Sequence, residues 1–312
     1  MTPAEPDWSG VLKSLCLVVS SALLLGGALQ AGFRAVVSFA GWEREMPVMA
    51  VAAQVANPDR RFSATDVDRG ALAATYTLTG EPRGTGAGTR DYEIVEDLTG
   101  RVDAPRLGGP EATALGRAIK GVVANTAFVD REEDKERREA TRKALDGLPA
   151  GLSAVAAVEF AGPMTAERMI AFNREHGLCP GADTVYIYSP YRYNDSTGEP
   201  PANAIAWNRG MGYRSSGWLT YLCEGEPLPA LEAFREWTRQ LTSHHDRGLE
   251  QFGLDRQSLV GAAREGRVHG FVADSWKVSD LRKLLDAPEV RGVTVTGVAF
   301  DPERLRPVSG EG

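Results

Sequence analysis

Cysteine, histidine and excess basic charge are all in short supply in this chain. Of 312 residues only three are cysteine, Cys16, Cys179 and Cys223, and four are histidine. The two cysteines beyond the N-terminal region are what one extracytoplasmic disulfide between Cys179 and Cys223 needs, although two buried reduced thiols would read the same. Acidic residues outnumber basic ones, for a net charge of −7 and an isoelectric point near 5.3. A nucleic-acid partner is therefore not expected, because a basic face is its electrostatic footprint.

The motifs of common chemistries are missing too. The glycine run at residues 84–88 has no Lys-Ser/Thr behind it and lies between strand-like stretches, so it reads as a hairpin loop and not as a phosphate cradle. Residues 210–217 (GMGYRSSG) have the composition of a nucleophile elbow without its G-x-S-x-G spacing, and read as a turn. His176-Gly-Leu-Cys179 offers an imidazole and a thiolate, with no second close pair to complete a zinc site. In His244-His245-Asp246, neighbours on a helix point about 100° apart, so both rings cannot face one ion and a helix-end polar cluster is expected. Carboxylates are plentiful but only Glu159 stands in an apolar context, so no pair for glycoside chemistry stands out. The expectation is a non-enzymatic chain with no cofactor and no metal site.

What the chain does have is one run of twenty uncharged residues, 14–33, between Lys13 and Arg34 and dense in Leu, Val and Ala. A helix rising about 1.5 Å per residue over that run is roughly 30 Å long, the thickness of a bilayer's hydrocarbon core. A cleaved signal peptide competes with an anchor, given small residues at Gly26, Gly27, Ala28 and Ala31, and a buried helix is a third reading. The anchor is favoured, because Glu5 and Asp7 spoil a positive n-region and the run is longer than a usual signal core. Lys13 on one side and Arg34 and Arg44 on the other leave the positive-inside count close to a tie. The cysteine pair tips the large domain towards the outside of the cytoplasm.

The rest of the chain divides by pattern. Residues 1–13 form a tail, 14–33 the transmembrane helix, 34–61 a juxtamembrane segment past Trp42, 62–150 a small α/β region and 151–306 a larger domain, with a tail at 307–312. In the small region, 72–79 and 92–95 read as strands, and 112–127 and 130–145 as helices. The second helix is nearly all charge and is expected to be a solvated rod with little buried face. In the larger domain, strand 154–160, a helix capped by Thr165 and running to about His176, and strand 184–188 make one β-α-β unit. Strand 268–273, a cap at Asp274 or Ser275, a helix with Leu281, Leu284 and Leu285, and strand 292–300 make another. Two such units suggest an α+β, ferredoxin-like split β-α-β domain, with 190–266 as a long insertion carrying helix 228–243.

Within that insertion and just before it, aromatic and basic residues crowd together. Tyr186, Tyr188, Tyr191, Tyr193, Trp207, Tyr213, Trp218 and Tyr221 are interleaved with Arg192, Arg209 and Arg214. Tyr, Trp and Arg are enriched at recognition hot spots, which makes Tyr191, Arg192, Tyr193, Trp207, Arg209, Tyr213 and Trp218 the candidate binding face for protein or glycan. The competing reading sends half of them to the core.

Residues 266–300, GRVHGFVADSWKVSDLRKLLDAPEVRGVTVTGVAF, resemble the closing segment of the sigma factor regulator C-terminal domain found in membrane-bound anti-sigma factors of Gram-positive bacteria. The shared traits are the strand from Val268 to Val272, the helix with Leu281, Leu284 and Leu285, and the turn from Asp286 to Arg291 into the last strand. Upstream, residues 154–188, with the step Phe160-Ala-Gly-Pro-Met-Thr165, resemble the start of the same domain. The resemblance implies a single-pass protein whose outer domain senses an envelope signal or binds a partner while its inner end restrains a sigma factor. Residues 1–13, at most about 20 Å long as a helix and interrupted by Pro3 and Pro6, are too short for a sigma-wrapping domain. The expected partners are the membrane and an unidentified envelope or membrane protein, which the resemblance would place in a sigma-factor regulatory system. The alternative is an anchored envelope hydrolase or a glycan- or protein-binding module.

Overall fold

The computed structural model describes residues 8–39, 42–69, 73–83, 90–97, 102–103, 113–125, 131–180, 184–188, 204–211, 225 and 227–299. The chain divides into two compact units, Met1–Pro47 and Val48–Gly312. In the first unit, helix α1 covers Trp8–Phe39, extending the apolar run at both ends. Its segment Leu12–Leu29 is long and apolar enough to cross a membrane, a test that a signal sequence also passes. The side chains there face outward on every side, with Leu24 75 % exposed.

Helix α2, Trp42–Ala56, lies within the stretch 34–61 that the sequence suggests as a juxtamembrane segment. From Val48 onward it belongs to the second unit, and Val48, Met49, Val51, Ala52, Ala53 and Val55 are all buried. A helix apolar all round belongs inside a core, and small alanines let neighbours approach closely. A meander follows: β1 (Arg60–Arg69), β2 (Ala73–Pro82), β3 (Arg90–Asp97) and β4 (Val102–Asp103), antiparallel and in sequence order. Alternation along β2 and β3 buries Tyr76, Leu78, Tyr92 and Ile94. Opposite Phe62, Gly80 leaves room for two rings: a Cβ there would lie 2.7 Å from Tyr92 and 2.9 Å from Phe62.

The second sheet has five antiparallel strands in the order β7-β6-β8-β5-β9, built from β5 (Ser153–Met164), β6 (Val185–Tyr188), β7 (Ile205–Trp207), β8 (Val268–Lys277) and β9 (Val290–Ala299). Its two faces differ. Small aliphatic side chains (Val155, Ala157, Val185, Ile187, Ala206, Val272) meet Leu115, Ile119 and Val122 of α3 (Ala114–Asn125) on one face. Gly270 on that face sits 2.9 Å, by its absent Cβ, from Val122 and 2.3 Å from the Val158 carbonyl, so no larger residue fits. The other face is aromatic and meets α5 (Ala166–Glu175) and α6 (Pro227–Gln240).

Local signals explain the helix ends. Thr165 caps α5 as the sequence predicts, its hydroxyl accepting from the Arg168 N–H at 3.3 Å. Helix α7 (Asp246–Gln251) is followed by α8 (Arg256–Glu265), capped by Asp255 and ended by Gly266 at φ +60°. The last helix, α9 (Val278–Leu284), starts later than expected. Asp274 and Ser275 do not cap it: strand β8 continues to Lys277, because Ala154 and Ser153 of β5 pair with Trp276 and Lys277. Two residues of β8 then face one of β5, a β-bulge.

The charged helix α4 (Arg131–Asp146) buries only Leu145 among its described side chains, in keeping with the solvated rod expected. Its arginines also clamp the sheet and the turn after α9. Arg138 donates to the carbonyls of Leu285 and Ala287 at 2.7 and 2.9 Å, Arg142 pairs with Asp286, and Arg137 reaches Glu159 at 3.3 Å. The segment read as an insertion supplies β7 to the central sheet as well as α6, α7 and α8.

Candidate functional site

The aromatic face of the central sheet gathers the described part of the expected binding residues. Residues of like parity on adjacent strands share a face, so Tyr186 and Tyr188 of β6 stand beside Trp207 and Ile205 of β7. Helix α6 presents Phe234 and Trp237 to them at i, i+3 spacing. Ring centroids lie 5.0 Å apart for Trp207–Phe234, 5.3 Å for Tyr188–Phe234 and 5.4 Å for Trp207–Trp237. Trp207 and Tyr188 are both fully buried. Trp207 is thus a core residue and not part of an exposed recognition face, because alternation in β7 turns it onto α6.

Three buried donors in this cluster, the Tyr188 hydroxyl and the Nε1–H groups of Trp207 and Trp237, meet no hydrogen-bond partner among the described residues. Each such group costs about 1–3 kcal/mol relative to a satisfied one. Burial pushes the Tyr188 phenol up, and the Arg235 charge pulls weakly the other way. Arg235 itself is tied to the end of α8, donating to the Ala263 carbonyl at 2.9 Å. Arg209 lies half-buried in a short 3-10 turn, Arg209–Met211, closed by the Met211 N–H donating to the Asn208 side chain at 2.8 Å. Tyr191, Arg192, Tyr193, Tyr213 and Trp218 lie outside the described residues. Cys179 is exposed and disulfide-bonded, while Cys16 is a free, exposed thiol. Cys223, its expected partner, lies outside the described residues.

The titratable groups singled out by sequence are dispersed. His245 is buried and its Nδ1 accepts the Thr242 N–H at 2.9 Å, whereas His244 faces solvent. Asp246 pairs with Arg256 at 2.6 Å, and that hydrogen bond holds its carboxyl below the usual range. His176 packs against Phe172 with ring centroids 4.6 Å apart and planes tilted by 55°. Glu159 is buried between two guanidinium groups, Arg291 at 3.0 Å and Arg137 at 3.3 Å, so its charge is neutralised inside the fold. Among the described residues no three His, Cys, Asp or Glu side chains gather as metal ligands.

Two features had no clear sequence signal. His269 on β8 is held down to about 4 by burial first and by the Arg267 charge second, and its Nδ1 meets no partner among the described residues. Asp274, raised by the bulge, collects Arg61 at 2.7 Å and Arg83 at 3.5 Å. Those arginines come from β1 and the end of β2, far away in sequence, and nothing local announces them. Compared with protein-family models, with curated proteins and with solved structures, the chain matches none.

Proposed function

We propose that this protein is a membrane-anchored, non-enzymatic sensor or regulator, held by α1 and working through an extracytoplasmic α+β domain of the sigma factor regulator C-terminal type. The observation that carries the reading is α1 itself, whose leucines and valines over Leu12–Leu29 are exposed all round. Moving a leucine side chain from water into an apolar medium is worth about 1.5–3 kcal/mol, so a row of them drives the helix into lipid. The order β6-β8-β5-β9, with α5 between β5 and β6 and α9 between β8 and β9, supports a ferredoxin-like split β-α-β core extended at one edge by β7. A disulfide-bonded Cys179 supports an oxidising compartment for this domain. The partner this reading calls for is an envelope or membrane protein, within a sigma-factor regulatory system.

The test is fractionation of the full chain from bacterial cells. The expected result is a chain of unchanged mass that stays with membranes through alkaline carbonate and whose domain is digested by protease added outside spheroplasts. A processed, carbonate-soluble chain would overturn the anchor, and a protease-resistant domain would overturn the orientation. Affinity capture from solubilised membranes then tests the regulatory role: recovery of a sigma factor or its regulator is expected, and recovery of neither would sink it.

A further inference from the structure

The three residues after α2, Asn57, Pro58 and Asp59, are buried and tied to three different parts of the second unit. Asn57 turns back on α2, its amide donating to the Ala53 carbonyl at 2.8 Å. Arg83, at the end of β2, donates from its backbone to the Asp59 carbonyl at 2.9 Å and from Nε to the Pro58 carbonyl at 3.0 Å. Thr113, which caps α3 by accepting the Gly116 N–H, donates its hydroxyl to the Asp59 carboxylate at 2.9 Å. The Arg83 side chain, 2 % exposed, then runs on to Asp274 of the central sheet, where Arg61 meets the same oxygen. A continuous polar chain thus leads from the exit of α2 to β8.

Its far end is strained. Ser275, next to Asp274 in the bulge, has φ +60°, the one positive-φ residue other than glycine among those described. Side chains resist that region, and such residues persist where their surroundings hold them, often in switch segments. Here the two arginines draw Asp274 towards the meander, and the Ser275 hydroxyl donates to the second Asp274 oxygen at 3.2 Å. The contact is ionic; Arg61 is 43 % exposed while Arg83 and Asp274 are 2 % and 7 % exposed, so water reaches it from the Arg61 side. Relief of the Ser275 strain, about 1–3 kcal/mol, would offset part of what is lost on parting.

We propose that Arg61, Arg83 and Asp274 form a latch. Closed, it locks the α2 exit and the meander onto the central sheet; parted, it lets α2 and β1 move while β5 and β8 stay folded. Its role as a signal relay rests on the sensor reading above, whereas the latch itself does not.

Hydrogen exchange on the full chain in lipid nanodiscs tests this, comparing the parent with Asp274→Asn, Arg61→Gln and Ser275→Gly. For Asp274→Asn and for the milder, half-exposed Arg61→Gln, amides of 51–56 and 60–69 are expected to exchange about tenfold faster, the scale of a charge-assisted bond, while amides of 155–158 in β5 stay within about twofold. Ser275→Gly, which removes strain and keeps the carboxylate, is expected to slow exchange in the same two segments. Unchanged exchange in α2 and β1, or equal acceleration in β5, would overturn the latch, the second outcome marking general destabilisation. Carbonate extraction of the same variants reads the anchor separately, so a soluble chain with the expected exchange pattern would remove the relay and leave the latch.

Discussion

Helices α1 and α2 are neighbours in sequence and similar in composition, yet their apolar side chains meet opposite fates. Over Leu12–Leu29 every described side chain of α1 is exposed, whereas residues 48–53 of α2 are all buried in protein. The difference lies in length and in side-chain size. The α1 segment carries large leucines over a bilayer's thickness, while the buried stretch 48–53 of α2 spans under two turns and is half alanine, so helices and strands can close around it. Hydrophobicity alone does not say which solvent an apolar helix has; length, bulk and neighbours do.

That contrast is broken most forcefully by a charge. Val51→Asp puts an unpaired carboxylate into the core and is expected to cost about 4 kcal/mol or more, enough to unfold the domain in a urea titration. Leu24→Asp in α1 should leave the urea midpoint of the domain unchanged and instead release the chain from carbonate-washed membranes. If both variants fail in the same assay, the two helices share one environment and the comparison collapses.

Acid sharpens the contrast next. His269 titrates near 4 when folded and near 6.5 when unfolded, so between those values the unfolded chain binds a proton that the folded domain refuses. Stability is complete above about pH 6.5 and falls by up to about 3 kcal/mol as pH drops towards 4. His269→Gln should flatten that part of the pH profile, read by urea unfolding at stepped pH. Membrane retention through α1 should not change over the same range, since residues 14–33 carry no charged side chain.

Glycines probe packing in both places with a smaller effect. A Cβ at Gly248 of α7 would lie 2.9 Å from the Met49 sulfur and 3.1 Å from Val102, so Gly248→Ala should cost about 1–3 kcal/mol. Met49→Ala in the same chain should recover part of that loss, a non-additivity that chemical denaturation of the four variants of the cycle would reveal. In α1, Gly27 has nothing within 4 Å, so Gly27→Leu should leave domain stability untouched and gain at most about 1 kcal/mol in helix preference. A weaker membrane association of Gly27→Leu would mean that a partner packs on that surface.

Much of the fold was legible because period and caps are local. The α5 cap at Thr165, the β2 and β3 alternation and the apolar run of α1 all follow from residues within one turn or one strand of each other. Strand β1 (RRFSATDVDR) is charged at five of its ten positions, Arg60, Arg61, Asp66, Asp68 and Arg69, which hides in sequence the alternation that marks a strand. The end of β8 was misread because Asp274-Ser275 is a good helix cap by local preference, and only the pairing with β5 overrides it. Among the candidate site residues, Trp207 was read as a face when it is core, since tyrosine, tryptophan and arginine serve both roles and one strand cannot reveal what covers it.

The sequence by itself determined the number and kind of most elements, the acidic balance and the one helix long and apolar enough for a membrane, because each depends on composition or on contacts within a few residues. Tertiary structure decided which apolar helix is buried, which arginines of α4 grip the turn after α9, and how Asp274 meets Arg61 and Arg83 across separations of 213 and 191 residues. Those outcomes depend on chain segments brought together by the pairing of two sheets and the closure of helices over them. No local preference encodes such a meeting, since its free energy exists only once both partners have been carried to the same place.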